Sequence, residues 1–144
     1  MWQLYNKLTT YLFPAVPRDF PIRRNTRTMI RALHIFSAGT LLGGHIFSIP
    51  TGDLLPWLYA TIFTGALLLV TDLHATAAVI FEVRGVVVLL KIGLLILIAF
   101  FFDARIPLLF IVLLLGVYGS HMPKHIRHKM LLFEKRILPD QRNG

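Results

Sequence analysis

The sequence predicts an all-α integral membrane protein, an antiparallel bundle of four helices that run up and down through a bilayer with both termini in the cytoplasm. Three observations predict this fold class. Hydrophobic residues make up 56% of the 144 residues, which exceeds the usual share in a soluble domain. Four long apolar runs, 29–49, 57–80, 86–102 and 106–119, fill most of the chain. Basic residues flank these runs at one side of the predicted membrane.

Each apolar run is expected to form a helix. About 20 helical residues cross the hydrocarbon core of a bilayer, and a backbone in lipid must satisfy its own hydrogen bonds. The fourth run is short, so we expect it to continue past Ser120 towards Pro123. The segments 51–53 and 103–107 contain glycine, aspartate or proline and are expected to be turns.

The length of the chain leaves room for one transmembrane domain. We expect an N-terminal interfacial segment over 1–28, four transmembrane helices over 29–121 and a basic amphipathic segment over 122–144. Residues 2–13 and 124–138 each place apolar side chains on one helical face, which predicts helices lying on the inner leaflet. No cleavable signal peptide is expected, because polar residues and prolines interrupt the first apolar stretch.

The basic residues predict the orientation of the chain. Arginines or lysines precede the first run, lie between the second and third runs and follow the fourth, whereas 50–56 contains none and 103–105 contains one. The positive-inside rule therefore predicts cytoplasmic termini, in a bacterial inner membrane. The net charge of +8 is then explained by anionic lipids, and nucleic acid is not expected as a partner.

Ionisable residues from all four predicted spans fall in the cytoplasmic half of the bilayer. Such residues are costly in lipid and are functional candidates by default. They are His34 in the first span, Asp72 and His74 in the second, Lys91 in the third and His121 in the fourth. Asp72 and Lys91 are expected to form an ion pair that lowers the cost of burying both charges. The alternative is that Lys91 extends to the headgroups.

Histidines on separate helices can hold haem b, because helix bundles place cofactors between facing helices and imidazole is a common axial ligand. The chain has no cysteine and six histidines, so thiolate metal sites are excluded. The candidates for axial ligands, of which the pair is left open, are His34, His74 and His121. The candidates for neutralising the haem propionates are Arg31, Arg84 and Lys124.

His45 is a further candidate ligand near the opposite surface. It lies eleven residues after His34, about three helical turns, so the two side chains project from nearly the same face about 16 Å apart. A second haem would need another histidine near that surface, and the sequence offers none. One haem is therefore the stronger form of the hypothesis.

The first and third spans resemble two families of small membrane proteins. The run Arg31-Ala32-Leu33-His34-Ile35, followed by Gly43 and Gly44, is similar to the first-helix signature of the membrane protoporphyrinogen oxidase family and of the copper-resistance D family. The resemblance implies a helical membrane scaffold suited to a tetrapyrrole or a metal. In the oxidase family a first-helix histidine and a third-helix lysine are functional, and His34 and Lys91 are the matching positions.

Four functions follow from these observations. The preferred hypothesis is a small haem b subunit that passes electrons to or from a quinone or another membrane subunit. The second is an enzyme acting on a porphyrin, with His34 and Lys91 as its active groups. The third is movement of copper or another metal, for which the four methionines are too few and scattered. The fourth is a cofactor-free structural or assembly subunit.

Overall fold

The computed structural model describes residues 7, 10–14, 18, 21–123 and 126. Within these residues the chain is helical and contains no strand. Its elements are, in chain order, helices α1 (Arg23–Ile46), α2 (Thr51–Ala75), α3 (Val83–Phe100) and α4 (Arg105–His121), with short 3₁₀ helices at Ala77–Phe81 and Phe102–Ala104. The all-α prediction is therefore confirmed for the described part of the chain.

Three helical segments are long enough and apolar enough to cross a membrane. They are Thr51–Ala75, Val83–Phe100 and Phe102–His121, of 25, 18 and 20 residues. Helix α1 has 24 residues but is not among them. Its sequence includes four arginines and two histidines. Three of the four predicted spans are thus long enough and apolar enough to cross a membrane, as expected of an integral membrane protein.

Large apolar side chains point away from the protein along these helices. Phe100 at the end of α3 is 77% exposed and Tyr118 in α4 is 66% exposed. Helix α4, which is described over its whole length, buries none of its residues, and α3 buries only Gly85. Contiguous exposed apolar surface of this kind would be unfavourable in water, and it suits contact with lipid.

Helix α1 is central to the packing, since it lies against both α2 and α4, while α4 also packs along α3. Leu41 and Leu42 of α1 and Leu54 of α2 are buried. Gly44 permits the close approach of these helices, because a Cβ atom there would overlap the methyl groups of Leu54. A small residue at a helix contact is the usual packing solution in a membrane.

The end of α1 differs from the predicted run 29–49. The helix ends at Ile46, and Ser48 adopts a left-handed conformation with φ 57°. The amide of Ile49 donates to the carbonyl of Gly44, and that of Ser48 donates to the carbonyl of His45. This is a Schellman cap, which usually carries glycine at the left-handed position, so the sequence signal for this ending was missing.

The predicted loop 50–56 is also revised. Helix α2 begins at Thr51, directly after Pro50, and continues through Pro56. Asp53 lies in its first turn, where a carboxylate is stabilised by the helix dipole. Pro56 is the sixth residue of this helix, and its missing N–H leaves the carbonyl of Gly52 without its usual helical donor. The helix therefore begins six residues before the apolar run 57–80 that predicted it.

At its other end, α2 stops five residues before the end of the predicted run 57–80. Thr76 leaves the helix in an extended conformation, and its side chain accepts a hydrogen bond from the amide of Ala78. The following 3₁₀ helix Ala77–Phe81 packs against both α2 and α3. Gly85 of α3 lies on this segment, because a Cβ atom there would overlap the carbonyl of Val79.

The structure describes the remaining predicted turn in full but only part of the predicted flanking helices. The expected turn 103–107 is a 3₁₀ helix at Phe102–Ala104 that leads directly into α4, and α4 continues past Ser120 to His121 as expected. Of the predicted N-terminal amphipathic helix, only residues 7 and 10–13 are described. The predicted C-terminal helix 124–138 lies outside the described residues except for Ile126.

Candidate functional site

The imidazole of His34 on α1 is held against the middle of α2. Its Nδ1 atom lies 3.1 Å from the carbonyl oxygen of Thr61 and 3.1 Å from the hydroxyl oxygen of Thr64. The Thr64 hydroxyl, which is buried, donates to the carbonyl of Ala60 at 2.7 Å, so it is free to accept from His34. Gly65 leaves room for the ring, since a Cβ atom there would lie 3.0 Å from Cε1 of His34.

These contacts assign the tautomer of His34. A carbonyl oxygen can only accept a hydrogen bond, so Nδ1 carries the proton that is shared between Thr61 and Thr64. The lone pair is then on Nε2, which makes no hydrogen bond with the described residues. A histidine that donates through one nitrogen to a carbonyl and presents the other is the usual arrangement of a metal ligand or a proton acceptor.

Lys91 of α3 extends into the same region. Its charge acts on His34, and its Nζ atom lies 3.6 Å from the position that a Cβ atom would occupy at Gly116 of α4. Lys91 is partly buried and forms no hydrogen bond or ion pair with the described residues. All four helices thus contribute to this region, through His34, the threonines of α2, Lys91 and Gly116.

The expected ion pair between Asp72 and Lys91 is not formed. Asp72 Oδ1 lies 2.8 Å from Nη2 of Arg27 and 3.7 Å from Nη1 of Arg84. Both arginines are nearer the helix ends than Lys91. Their long side chains extend to the Asp72 carboxylate and take the place that Lys91 was expected to occupy. Arg84 also pairs with Glu82 through Nε. The consequence is that the charge of Lys91 has no carboxylate partner among the described residues.

The cationic groups form two levels along the helices. Arg27 and His34 are seven residues apart on α1, and Arg84 and Lys91 are seven residues apart on α3. Seven residues make nearly two turns, so each pair shares a helix face with an axial separation of about 10.5 Å. Arg27 and Arg84 are joined through Asp72, and His34 and Lys91 form the second level.

Arg27 is partly withdrawn from solvent at the arginine level. Asp72 and the guanidinium groups of Arg23, Arg31 and Arg84 act electrostatically on its guanidinium. Arg27 therefore has one carboxylate and three guanidinium groups within electrostatic range.

His74 and His121 are not brought together with His34. Both are exposed, and neither contacts His34 within the described part of the chain. His74 follows Gly65 by nine residues on α2, which is about 13.5 Å along the helix axis, so it lies on a different level from the His34 ring. The carbonyl of His74 accepts a hydrogen bond from Arg18. No cluster of three or more candidate metal ligands occurs among the described residues.

His45 lies at the other end of α1, as expected from its spacing. Its ring meets Phe102 edge-on with centroids 6.1 Å apart. Arg105 covers the ring of Phe102 at 4.5 Å and lies within electrostatic range of His45. The Nδ1 atom of His45 is buried without a hydrogen-bond partner. This group is separate from His34.

The predicted propionate partners have different surroundings. Arg84 is engaged by Asp72 and Glu82, whereas Arg31 is exposed and lies within electrostatic range of Arg27. Lys124 lies outside the described residues. Among these three residues, Arg31 lies three positions before His34 in the sequence. It has no carboxylate contact in the described structure.

The sequence did not single out the residues that orient His34. Thr61 and Thr64 are ordinary polar residues within an apolar run, and helical threonines commonly bond the preceding turn, as both do here. The available signal was the adjacency of Thr64 to Gly65, a small and polar pair on an otherwise bulky helix. Arg27 was read as a flanking charge, although it pairs with Asp72.

Comparison of the chain with protein-family models, curated proteins and solved structures gives no match.

Proposed function

We propose that this membrane protein binds a tetrapyrrole between its helices, at the level of His34 and Lys91. The preferred ligand is haem b, with His34 as the iron ligand supplied by this chain. The protein would then pass electrons to or from a quinone or another membrane subunit. We also propose that α1 is a fourth crossing, that the four helices are antiparallel, and that both termini face the cytoplasm of a bacterial inner membrane.

The observation that carries this proposal is the free Nε2 of a histidine whose Nδ1 is fixed on α2. His34 is oriented by Thr61 and Thr64, so its remaining lone pair has a defined direction. Such outer contacts fix the tautomer of a ligating histidine and raise its basicity. The small residues Gly65 and Gly116 border the same region, which suits a flat ring.

The residues present fit one haem ligand from this chain rather than two. His74 and His121 are exposed and stand apart from His34, so the axial pair considered from the sequence is not favoured. Haem, when bound, supplies the redox chemistry, whereas the protein supplies ligation, burial and charge. Lys91 and Arg31 are the cations best placed to balance carboxylates of the ligand.

The proposed orientation is supported by the distribution of arginines. Arg23, Arg27 and Arg84 lie at one end of the helices, together with Asp72. The positive-inside rule assigns an end rich in arginine to the cytoplasm.

An absorption spectrum of the full chain, purified in detergent from haem-replete cells, tests the haem proposal. We expect a Soret band that shifts on reduction with dithionite, and its loss in His34→Ala. The matched control is His45→Ala, which removes a histidine from the same helix and should retain the band. A wild-type protein without any haem absorption would contradict the proposal and favour a cofactor-free structural role.

A second candidate is an enzyme that acts on a porphyrin, with His34 as proton acceptor and Lys91 as the group that binds a carboxylate. The absence of any carboxylate contact to Lys91 in the described structure favours it, because an unpaired ammonium in the membrane region calls for an anionic partner.

Replacement of Lys91 separates the two candidates. If the chain is a porphyrin-acting enzyme, Lys91→Met should fail to complement a strain lacking protoporphyrinogen oxidase that the wild type rescues, and Lys91→Arg should restore part of the activity. If the chain is only a haem carrier, wild type and variant should both fail to complement, while the wild type shows the Soret band. Full complementation by Lys91→Met would exclude a catalytic role for this lysine.

A further inference from the structure

Helices α2 and α3 are held together at one end only. At that end Asp72 of α2 lies 3.7 Å from Arg84 of α3, and the 3₁₀ helix Ala77–Phe81 packs against both helices. Among the described residues, α1 packs along α2 and α4, and α3 packs along α4, but α2 and α3 do not pack along one another. We call the gap between them, from the level of Asp72 and Arg84 outwards, the α2–α3 opening.

The apolar side chains that border the α2–α3 opening are exposed. Ile62 lies three residues before Gly65 on α2, and Leu95 lies four residues after Lys91 on α3, so each shares a helix face with its neighbour. Both lie about 15 to 16.5 Å along the helices from Asp72 and Arg84. Ile62 is 57% exposed and Leu95 is 41% exposed. Packed helices would bury such side chains, so the opening extends at least to this level.

The polar atoms at the depth of the opening are accessible from outside the chain. Nε2 of His34 and Nζ of Lys91 have no hydrogen-bond partner in the described structure, yet neither is among its enclosed polar atoms. Gly65, on which the His34 ring lies, precedes Asp72 by seven residues and shares the face of α2 that meets α3. The α2–α3 opening therefore leads to His34 and Lys91.

The end of the opening that carries Asp72 and Arg84 is closed. Ala75, Thr76 and Val79, at the junction of α2 with the 3₁₀ helix, are among the most deeply buried residues that the structure describes. A molecule that entered from this end would have to displace them. The opposite part is bordered by the apolar side chains of Ile62 and Leu95, which favours approach from lipid.

We propose that the tetrapyrrole reaches His34 laterally from the bilayer, through the α2–α3 opening, and lies between these two helices. This inference rests on the proposed function and adds the route and the position of the ligand. A lipophilic ring can move from lipid past Ile62 and Leu95 without crossing water, and sites between the helices of a bundle are a usual place for such ligands. Lys91 then attracts its carboxylates, because the ammonium has no carboxylate partner in the described structure.

A crosslink across the opening tests this route. The natural chain has no cysteine, so Ile62→Cys with Leu95→Cys supplies two thiols that a bismaleimide joins. Haem is then offered from separate lipid vesicles to the full chain in vesicles. We expect protein crosslinked while empty to lose haem uptake, seen as a missing Soret band. The untreated double variant should take up haem, and protein loaded before crosslinking should keep the band.

A bulky side chain tests the same route without a crosslink. Ile62→Trp narrows the opening, so we expect slower haem uptake with an unchanged final Soret amplitude. Val70→Trp is the matched control, because Val70 is also exposed on α2 but lies two residues before Asp72, on nearly the opposite side of the helix. Its rate of uptake should equal that of the wild type.

Three results would overturn this inference while haem binding itself stands. One is equal uptake by the crosslinked empty protein and the untreated double variant. Another is equal slowing by Ile62→Trp and Val70→Trp. The last is loss of the Soret band when the loaded protein is crosslinked, which would show that the crosslink damages the site. A wild-type protein that takes up no haem would instead refute the proposed function, and this inference with it.

Discussion

The His34 imidazole lies directly on Gly65, so that a single methyl group added to α2 would stand 3.0 Å from its Cε1 atom and 3.5 Å from its Nδ1 atom. The separation from Cε1 is shorter than ordinary van der Waals contact, whereas that from Nδ1 is an ordinary contact distance. The ring therefore occupies space that exists only because residue 65 has no side chain, and its position is set jointly by α1 and α2.

Gly65→Ala is expected to displace the His34 ring by a few tenths of an ångström and to weaken ligand binding at Nε2. Changes to groups that orient a metal ligand typically cost about 10–100-fold in affinity, and we expect about tenfold here. Haem titration of the purified protein measures this loss of affinity. Gly93→Ala is the control, because a Cβ atom there has open space around it, and equal affinities for the two variants would contradict the prediction.

Thr64→Val removes one of the two acceptors for His34 Nδ1 while preserving the shape of the side chain. The Thr61 carbonyl remains, so the tautomer should persist and haem affinity should fall by about tenfold at most. The matched control is Thr71→Val on the same helix, since the Thr71 hydroxyl donates to the carbonyl of Leu68 and, among the described residues, makes no contact with His34. A loss as large as that of His34→Ala would mean that Thr64 has a direct role.

Gly85→Ala is expected to destabilise the protein strongly. The added Cβ atom would overlap the carbonyl of Val79 and lie 2.9 Å from both Cα and O of Ile80. These are backbone atoms of the 3₁₀ helix Ala77–Phe81, so they cannot move aside as a flexible side chain would. We expect a loss of about 1–3 kcal/mol or more, measured by thermal unfolding in detergent. Gly93→Ala serves again as the control, and equal melting temperatures would refute the close packing.

Ser48→Gly is expected to stabilise the protein. Ser48 has φ 57° at the end of α1, a conformation that costs a non-glycine residue roughly 1–2 kcal/mol. The side chain of Ser48 is exposed, so its removal loses little packing. A gain of about 1 kcal/mol in unfolding free energy is predicted, and Ser37→Gly, which alters a helix interior, should instead destabilise. A lower melting temperature for Ser48→Gly would contradict the observed cap.

The sequence predicted the helices better than their ends. Apolar runs identify α2, α3 and α4 because lipid-facing helices are apolar on most sides. The end of α1 was missed because Ser48 occupies a position where glycine is usual. Pro56 was read as a loop residue, although helix α2 continues through it.

The candidate site was predicted in part. His34 and Lys91 were selected as costly residues in lipid, and the structure brings them within electrostatic range. Their partners were not predictable, since depth along a helix does not reveal which face a side chain occupies. Asp72 was assigned to Lys91 by depth alone, whereas the longer reach of Arg27 and Arg84 decides the pairing.

Haem titration of three single variants, His34→Ala, His74→Ala and His121→Ala, tests the central claim most directly. The claim predicts that only His34→Ala loses the Soret band and its shift on reduction, because only this histidine is oriented by a neighbouring helix and joined by Lys91. Retention of the band in His34→Ala, together with its loss in His74→Ala or His121→Ala, would contradict the account.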